Sequence, residues 1–281
     1  MRDKNNNLNK KAALDAQIEA EAAVIGKKRS FAVAEAHKRL RTNVLFSFPD
    51  ESECRVIGIT STMAHEGKST TAVNLAYDIA QAGKKVLLID ADMRLSRIAK
   101  VLDVKRSPGL SNLLVGAMGG EENVVQHAEM LDNLSIISCG SIPPNPSELL
   151  SSKRMEMLLE TLKKAYKYII IDLPPISAVS DALIISKLAD GMVLVVRQDY
   201  VDKRLLDDVV RQLKFHDANV IGFVMTCAQR ETKYYKKYYK KYYKNYRYKY
   251  KHGGYYKYGA RDYYMDYAVT PDDEKDNNSG K

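Results

Sequence analysis

Six short runs of branched apolar residues recur along the chain: Arg55 to Thr60, Lys85 to Ile89, Leu134 to Ser138, Tyr168 to Ile171, Met192 to Val196 and Val220 to Met225. Continuous apolar character over five or six residues predicts strands buried on both faces. Most are separated by helix-length segments with apolar residues three and four apart. Thr70 to Gln81, closed by Gly83, and Glu148 to Ala165, opened by Ser147, are two such helices. Strand alternating with helix predicts an α/β fold, a doubly wound, mostly parallel sheet with helices on both faces. Its ligands should bind beyond the carboxyl ends of the strands.

The ends of the chain break this pattern. Residues 1–30 have no strand character, and Lys10 to Val24, rich in alanine and glutamate, reads as a helical appendage poor in large apolar residues. From Glu231 onward aliphatic residues nearly vanish, and the closing PDDEKDNNSGK has the composition of a disordered segment. Three regions are expected: an appendage at 1–30, a domain at 31–230 and a flexible tail at 231–281.

Composition adds three constraints. A chain of 281 residues can hold a large core. Its net charge of +9 is concentrated in the tail, where 13 basic and 7 acidic residues give +6, so the body needs no polyanionic partner. Cys54, Cys139 and Cys227 are far apart and each lies in or beside an apolar run, which predicts small core side chains and no metal site. The polar start MRDKNNNLNK lacks the apolar stretch of a signal peptide, and no later run reaches the roughly 20 residues of a membrane span. A cytoplasmic location is expected, with any work at a membrane depending on another protein.

The candidate chemistry follows the strands. After the first comes ITSTMAHEGKSTTAVNLA, in which Gly67, Lys68 and Ser69 open a helix. Backbone N–H groups around Glu66 and Gly67 and the helix N-terminus suit phosphate oxygens, Lys68 the outer phosphates, Ser69 a magnesium shell, and Thr70 nucleotide orientation. Thr62 replaces the first glycine of G-x-x-x-x-G-K-[ST]. The second strand runs into DADMR, placing Asp90 and Asp92 at its end, and the fourth runs into IIIDLPP, placing Asp172 there. Carboxylates at these points can hold Mg²⁺ or accept a hydroxyl proton, so the constellation points to phosphoryl transfer or hydrolysis. No eukaryotic kinase signature is present. The K-G-G-x-G-K-[ST] loop of MinD- and ParA-like ATPases is not matched, because Met63 occupies its lysine position.

Fifteen of the 19 tyrosines crowd the tail: Tyr234, Tyr235, Tyr238, Tyr239, Tyr242, Tyr243, Tyr246, Tyr248, Tyr250, Tyr255, Tyr256, Tyr258, Tyr263, Tyr264 and Tyr267. With STMAHEGKST, DADMR, IIIDLPP and GSIPPNPSELLSS at 140–152, this cluster makes residues 31–267 resemble the bacterial tyrosine kinases of capsule and exopolysaccharide synthesis. The resemblance implies ATP and Mg²⁺ as cofactors, with Lys68 and Ser69 binding them, Asp90 activating the tyrosine hydroxyl, and Asp92 and Asp172 completing the metal site. It implies autophosphorylation of the tail, a membrane-anchored activator or chain-length regulator, a cognate tyrosine phosphatase and assembly into a ring, with no nucleic acid partner. Lacking a span, the chain resembles the split cytoplasmic form, recruited to the inner membrane face. EAHKRLR resembles the family's E-x-x-R-x-x-R oligomerisation segment through Glu35 and Arg41, with Lys38 in the first arginine's place. Ala64 and His65 stand where proline and glycine are usual, and Thr226 where asparagine is common. The alternative is a MinD/ParA-like ATPase scaffold whose basic, aromatic tail binds membrane or nucleic acid.

Overall fold

The computed structural model describes residues 29, 31–48, 50, 53–117, 124–127 and 131–228. The expected helix at Lys10 to Val24 and all fifteen tail tyrosines lie outside these residues. The elements in chain order are α1 (Phe31–Phe46), β1 (Arg55–Ser61), α2 (Lys68–Gln81), β2 (Val86–Asp90), α3 (Ile98–Val101), α4 (Leu110–Leu114), β3 (Gln126–His127) and β4 (Leu134–Ile137). There follow α5 (Pro146–Leu150), α6 (Lys153–Leu162), β5 (Tyr168–Asp172), α7 (Asp181–Ile185), β6 (Gly191–Arg197), α8 (Lys203–Phe215) and β7 (Val220–Thr226).

The seven strands form one sheet in the order β3-β4-β2-β5-β1-β6-β7, parallel throughout except for β3. The six apolar runs are its six parallel strands. β2 and β5 are buried at every position, as their unbroken apolar sequences require. Strand β3 was not expected, because two residues, Gln126 and His127, carry no periodicity to read.

One face of the sheet packs Leu87, Ile89, Ile169 and Ile171 against α6, α7 and α8. The other packs Ile57, Ile59, Leu88 and Ile170 against α1 and α2. Helix α2 is buried from Thr71 through Ala80, and it ends where expected, one residue before Ala82 and Gly83, whose φ of +83° an L side chain resists.

The helix expected over Glu148 to Ala165 is two helices. Ser152 adopts an extended conformation and its side chain accepts a hydrogen bond from Met155 N, so it caps α6 and separates it from α5. The cysteines also divide: Cys139 is buried, Cys54 half-buried, and Cys227, just past β7, exposed. The expectation of a core side chain fails at Cys227, which follows the edge strand and which no element among the described residues buries.

Candidate active site

Parallel register assembles the acids. Asp90 ends β2 and Asp172 ends β5, and the two are direct neighbours across the ladder. On the other side of β5 runs β1, whose Ile59 pairs with Asp172, so the loop after β1 emerges next to both carboxylates. Asp92, two residues beyond Asp90, joins them at the same edge. In the sequence Asp90 and Asp172 are 82 positions apart; the strand order brings them together.

The loop after β1 carries its own scaffold. Gly67 sits at the N-cap of α2 with φ +87°, and a Cβ there would also meet Thr226 Cγ2 at 3.3 Å. Glu66 is buried and its carboxylate faces inward, accepting Met63 N at 2.5 Å and Arg197 N at 3.0 Å. Its carbonyl accepts from Thr226 Oγ1 at 2.7 Å. The loop is thereby clasped to the ends of β6 and β7. Burial raises the Glu66 carboxyl above its ordinary range, against the opposing effect of the N–H groups of Met63, Arg197 and Thr62. The Glu66 side chain thus holds the loop's shape. At His65, with φ +65°, Arg197 donates to the carbonyl at 3.3 Å and Arg97 lies 3.4 Å from Nδ1.

Lys68 brings the acids under one charge. Its Nζ lies 2.9 Å from Asp92 and 3.4 Å from Asp172, and 3.2 Å from Ser69 Oγ, while Ser69 also bonds Asp172. Burial would lower the Lys68 pKa, but Asp172 and Asp92 outweigh it and hold the ammonium charged. Burial also pushes Asp92 upward, yet Lys68 and the Leu95 and Arg94 N–H groups take it below its usual value. Asp172 goes the other way: burial dominates the more distant ammonium and raises it. Asp90, fully buried and beside Asp172, is pushed up to about 7, and the Ser96 hydroxyl at 2.6 Å opposes this. A carboxyl titrating near neutrality is suited to accept a proton.

Thr70 is half-buried on the first turn of α2, where its carbonyl accepts from Asn74. Glu35 and Lys38 pair with each other at 2.8 Å on α1, and Arg41 donates to the Asp78 carbonyl of α2 at 3.0 Å, away from the acidic cluster. Three residues with no motif to announce them complete the site: Ser96 on Asp90, Arg197 on the loop, and Asp181. Asp181 is buried, accepts from Ser147 Oγ at 2.5 Å and lies 3.5 Å from Arg94, tying the loop after β2 to α5 and α7. Position directly after the apolar run that ends at Val196 was the available signal for Arg197, the last residue of β6.

Comparison with known proteins shows the family. A family model described as an AAA domain matches residues 54–217. The tyrosine-protein kinase YwqD of Bacillus subtilis is 39% identical over 192 residues, covering 68% of this chain and 80% of that one. The chain belongs to the bacterial tyrosine-kinase family. As a kinase of that family it is also 36% identical to the tyrosine-protein kinase CpsD of Streptococcus pneumoniae, over 68% of its own length and 82% of the relative's. The crystal structure of the chimerical protein CapA2B2 superposes with a TM-score of 0.68 at 33% identity, covering 73% of this chain and 89% of that one. The kinase's fold and its enzyme class therefore agree.

Proposed function

We propose that this kinase transfers the γ-phosphoryl group of ATP to the tyrosines at 234–267, its own or those of a second copy, and thereby regulates synthesis and export of a capsular or extracellular polysaccharide. The observation that carries the chemistry is the convergence of Lys68, Ser69, Asp90, Asp92 and Asp172 at one strand edge, beside a loop whose Gly67 opens a helix. Residues 31–230 are taken as the catalytic domain, 1–30 as an appendage and 231–281 as the substrate tail.

The donor set suits ATP with Mg²⁺. Three buried carboxylates lie at one strand edge, and the Lys68 ammonium pairs with two of them, Asp92 and Asp172, an excess of negative charge that burial disfavours and a divalent cation offsets. Among the described residues no three His, Cys, Asp or Glu side chains could enclose a metal by themselves. Mg²⁺ is commonly held by one or two carboxylates together with substrate phosphates and water. Ser69, Asp92 and Asp172 would hold it. Bound there, Mg²⁺ would neutralise charge on the β- and γ-phosphates.

The chain's own residues do the remainder. N–H groups of residues 66–70 and the N-terminus of α2 cradle the phosphates, Lys68 binds their outer oxygens, and Asp90 accepts the phenolic proton. Among the described residues no helix is long and apolar enough to cross a membrane, so recruitment falls to a membrane-anchored activator, and reversal to a tyrosine phosphatase. Glu35, Lys38 and Arg41 on α1 are the proposed contacts of a ring.

Each phosphate adds about −1.5 to −2 charges at neutral pH, so three or four cancel the tail's +6 and more reverse it. Intact-mass spectrometry of the chain with Mg²⁺ and ATP, with and without an activator segment, tests the reading. Phosphate-sized mass steps absent from Lys68→Met support it. ATP hydrolysis without such steps, even with the activator, would favour an ATPase scaffold with a binding tail.

A further inference from the structure

Asp90 has no exposed surface, although a phenol that gives up its proton must come from solvent. Its carboxylate is closed on both oxygens by the segment that follows it. Oδ1 accepts Asp92 N at 3.2 Å and Oδ2 accepts Ser96 Oγ at 2.6 Å. That segment is fixed at several points. Leu95 N donates to Asp92 Oδ1 at 2.9 Å, and Arg94 is held 3.5 Å from Asp181 and 3.4 Å from Ser147. Leu95 is 70% exposed and Ile98, the first residue of α3, is fully buried. Ser96 lies where the backbone passes from solvent to core. It is half-buried, and its hydroxyl reaches the sealed carboxylate, so the residue bonded to Asp90 Oδ2 is itself partly open to solvent.

Resting on the assignment of Asp90 as base, we propose that Ser96 is a proton relay, its hydroxyl carrying the proton of the acceptor tyrosine to Asp90. A serine hydroxyl has one proton and two lone pairs; here the proton points to Asp90 Oδ2, which leaves the lone pairs to accept from a phenol. In the transfer step the phenolic O–H bond breaks and its proton passes to Ser96 Oγ, while the Ser96 proton passes to Asp90 Oδ2. The phenolic oxygen forms its bond to the γ-phosphorus of ATP as the bond from that phosphorus to the β,γ-bridging oxygen breaks. ADP leaves with that electron pair. Ser96 ends as a hydroxyl, and Asp90 carries one proton, which it later yields to solvent. The wholly buried base is used without being uncovered.

The test compares the full chain with Ser96→Ala, Ser96→Thr and Asp90→Asn. For Ser96→Ala the rate of phosphotyrosine formation falls about 10²-fold, in the range typical of proton-transfer catalysis, with KM for ATP unchanged. Ser96→Thr, which keeps the hydroxyl, restores most of that rate. The dependence of wild-type rate on deuterium fraction is quadratic, reporting two protons in flight. Without nucleotide, proton NMR of the wild type shows a slowly exchanging hydroxyl resonance that Ser96→Ala removes. A Ser96→Ala chain that phosphorylates within twofold of wild type while Asp90→Asn does not would overturn the relay and leave the base assignment standing. Unimpaired transfer by Asp90→Asn would overturn both. A loss carried by KM, a loss shared fully by Ser96→Thr, a linear deuterium dependence or no such hydroxyl resonance would show that Ser96 is not the relay.

Discussion

Replacing Lys68 with methionine removes the ammonium that, among the described residues, is bound to Asp92 and Asp172, whose side chains are 5% and 1% exposed. Removing one partner of a buried ion pair typically costs about 3–5 kcal/mol, because the remaining charge is neither solvated nor paired. Here the loss has an escape, since an abandoned carboxylate can take up a proton. Its folded pKa then lies above its unfolded one, so the folded state binds a proton the unfolded state lacks. Stability from that proton is present at low pH and declines as pH rises toward the folded pKa. One proton corresponds to about 1.4 kcal/mol per pH unit, so the deficit at pH 8 should shrink by up to ~2.7 kcal/mol at pH 6. Urea unfolding of wild type and Lys68→Met at both values, without nucleotide, measures this. A variant as stable as wild type at pH 8, or a deficit independent of pH, would refute the view that Lys68 holds the acidic cluster together.

The opposite sign is expected for Asp90→Asn. The Asp90 carboxyl, at about 7 against 3.8, contributes stability that is lost as pH rises toward 7, so the asparagine variant should unfold at higher urea than wild type at pH 8, with the gap closing toward pH 5. His37 carries a second signal. Burial first, then Arg29, lowers it from 6.5 to about 4, so its stabilising contribution is full above 6.5 and disappears as pH falls toward 4. Allowing for partial exposure the change is about 2 kcal/mol, and His37→Leu should flatten that part of the pH–stability curve. Glu66→Gln replaces one acceptor oxygen with a donor facing Met63 N or Arg197 N, which should cost roughly 1–3 kcal/mol and weaken ATP binding in calorimetric titration.

The fold could be read from the chain because apolar strands buried on both faces leave few alternatives. The same rule located Asp90, Asp92 and Asp172, since ligands of such sheets bind where strands end. Register was not legible: that Asp90 and Asp172 are ladder neighbours follows from β5 lying between β2 and β1, an order no local pattern encodes. Helix propensity hid the break at Ser152, because a serine inside an amphipathic run signals an N-cap only once its hydroxyl meets Met155 N. Glu66 fell within a recognised motif, but that its carboxylate clasps β6 depends on a contact 131 residues away. Ser96 and Asp181 had no sequence signal, their roles arising from hydrogen bonds that only the folded loops bring about.

The most direct measurement follows the γ-phosphoryl group itself. The chain is incubated with Mg²⁺, γ-labelled ATP and an activator segment, then digested, and the label is divided between inorganic phosphate and peptides spanning 234–267. Label on those tyrosines, lost in Asp90→Asn and when all fifteen are changed to phenylalanine, is the predicted result. Label found wholly in inorganic phosphate, with the tail unmodified, would contradict the account.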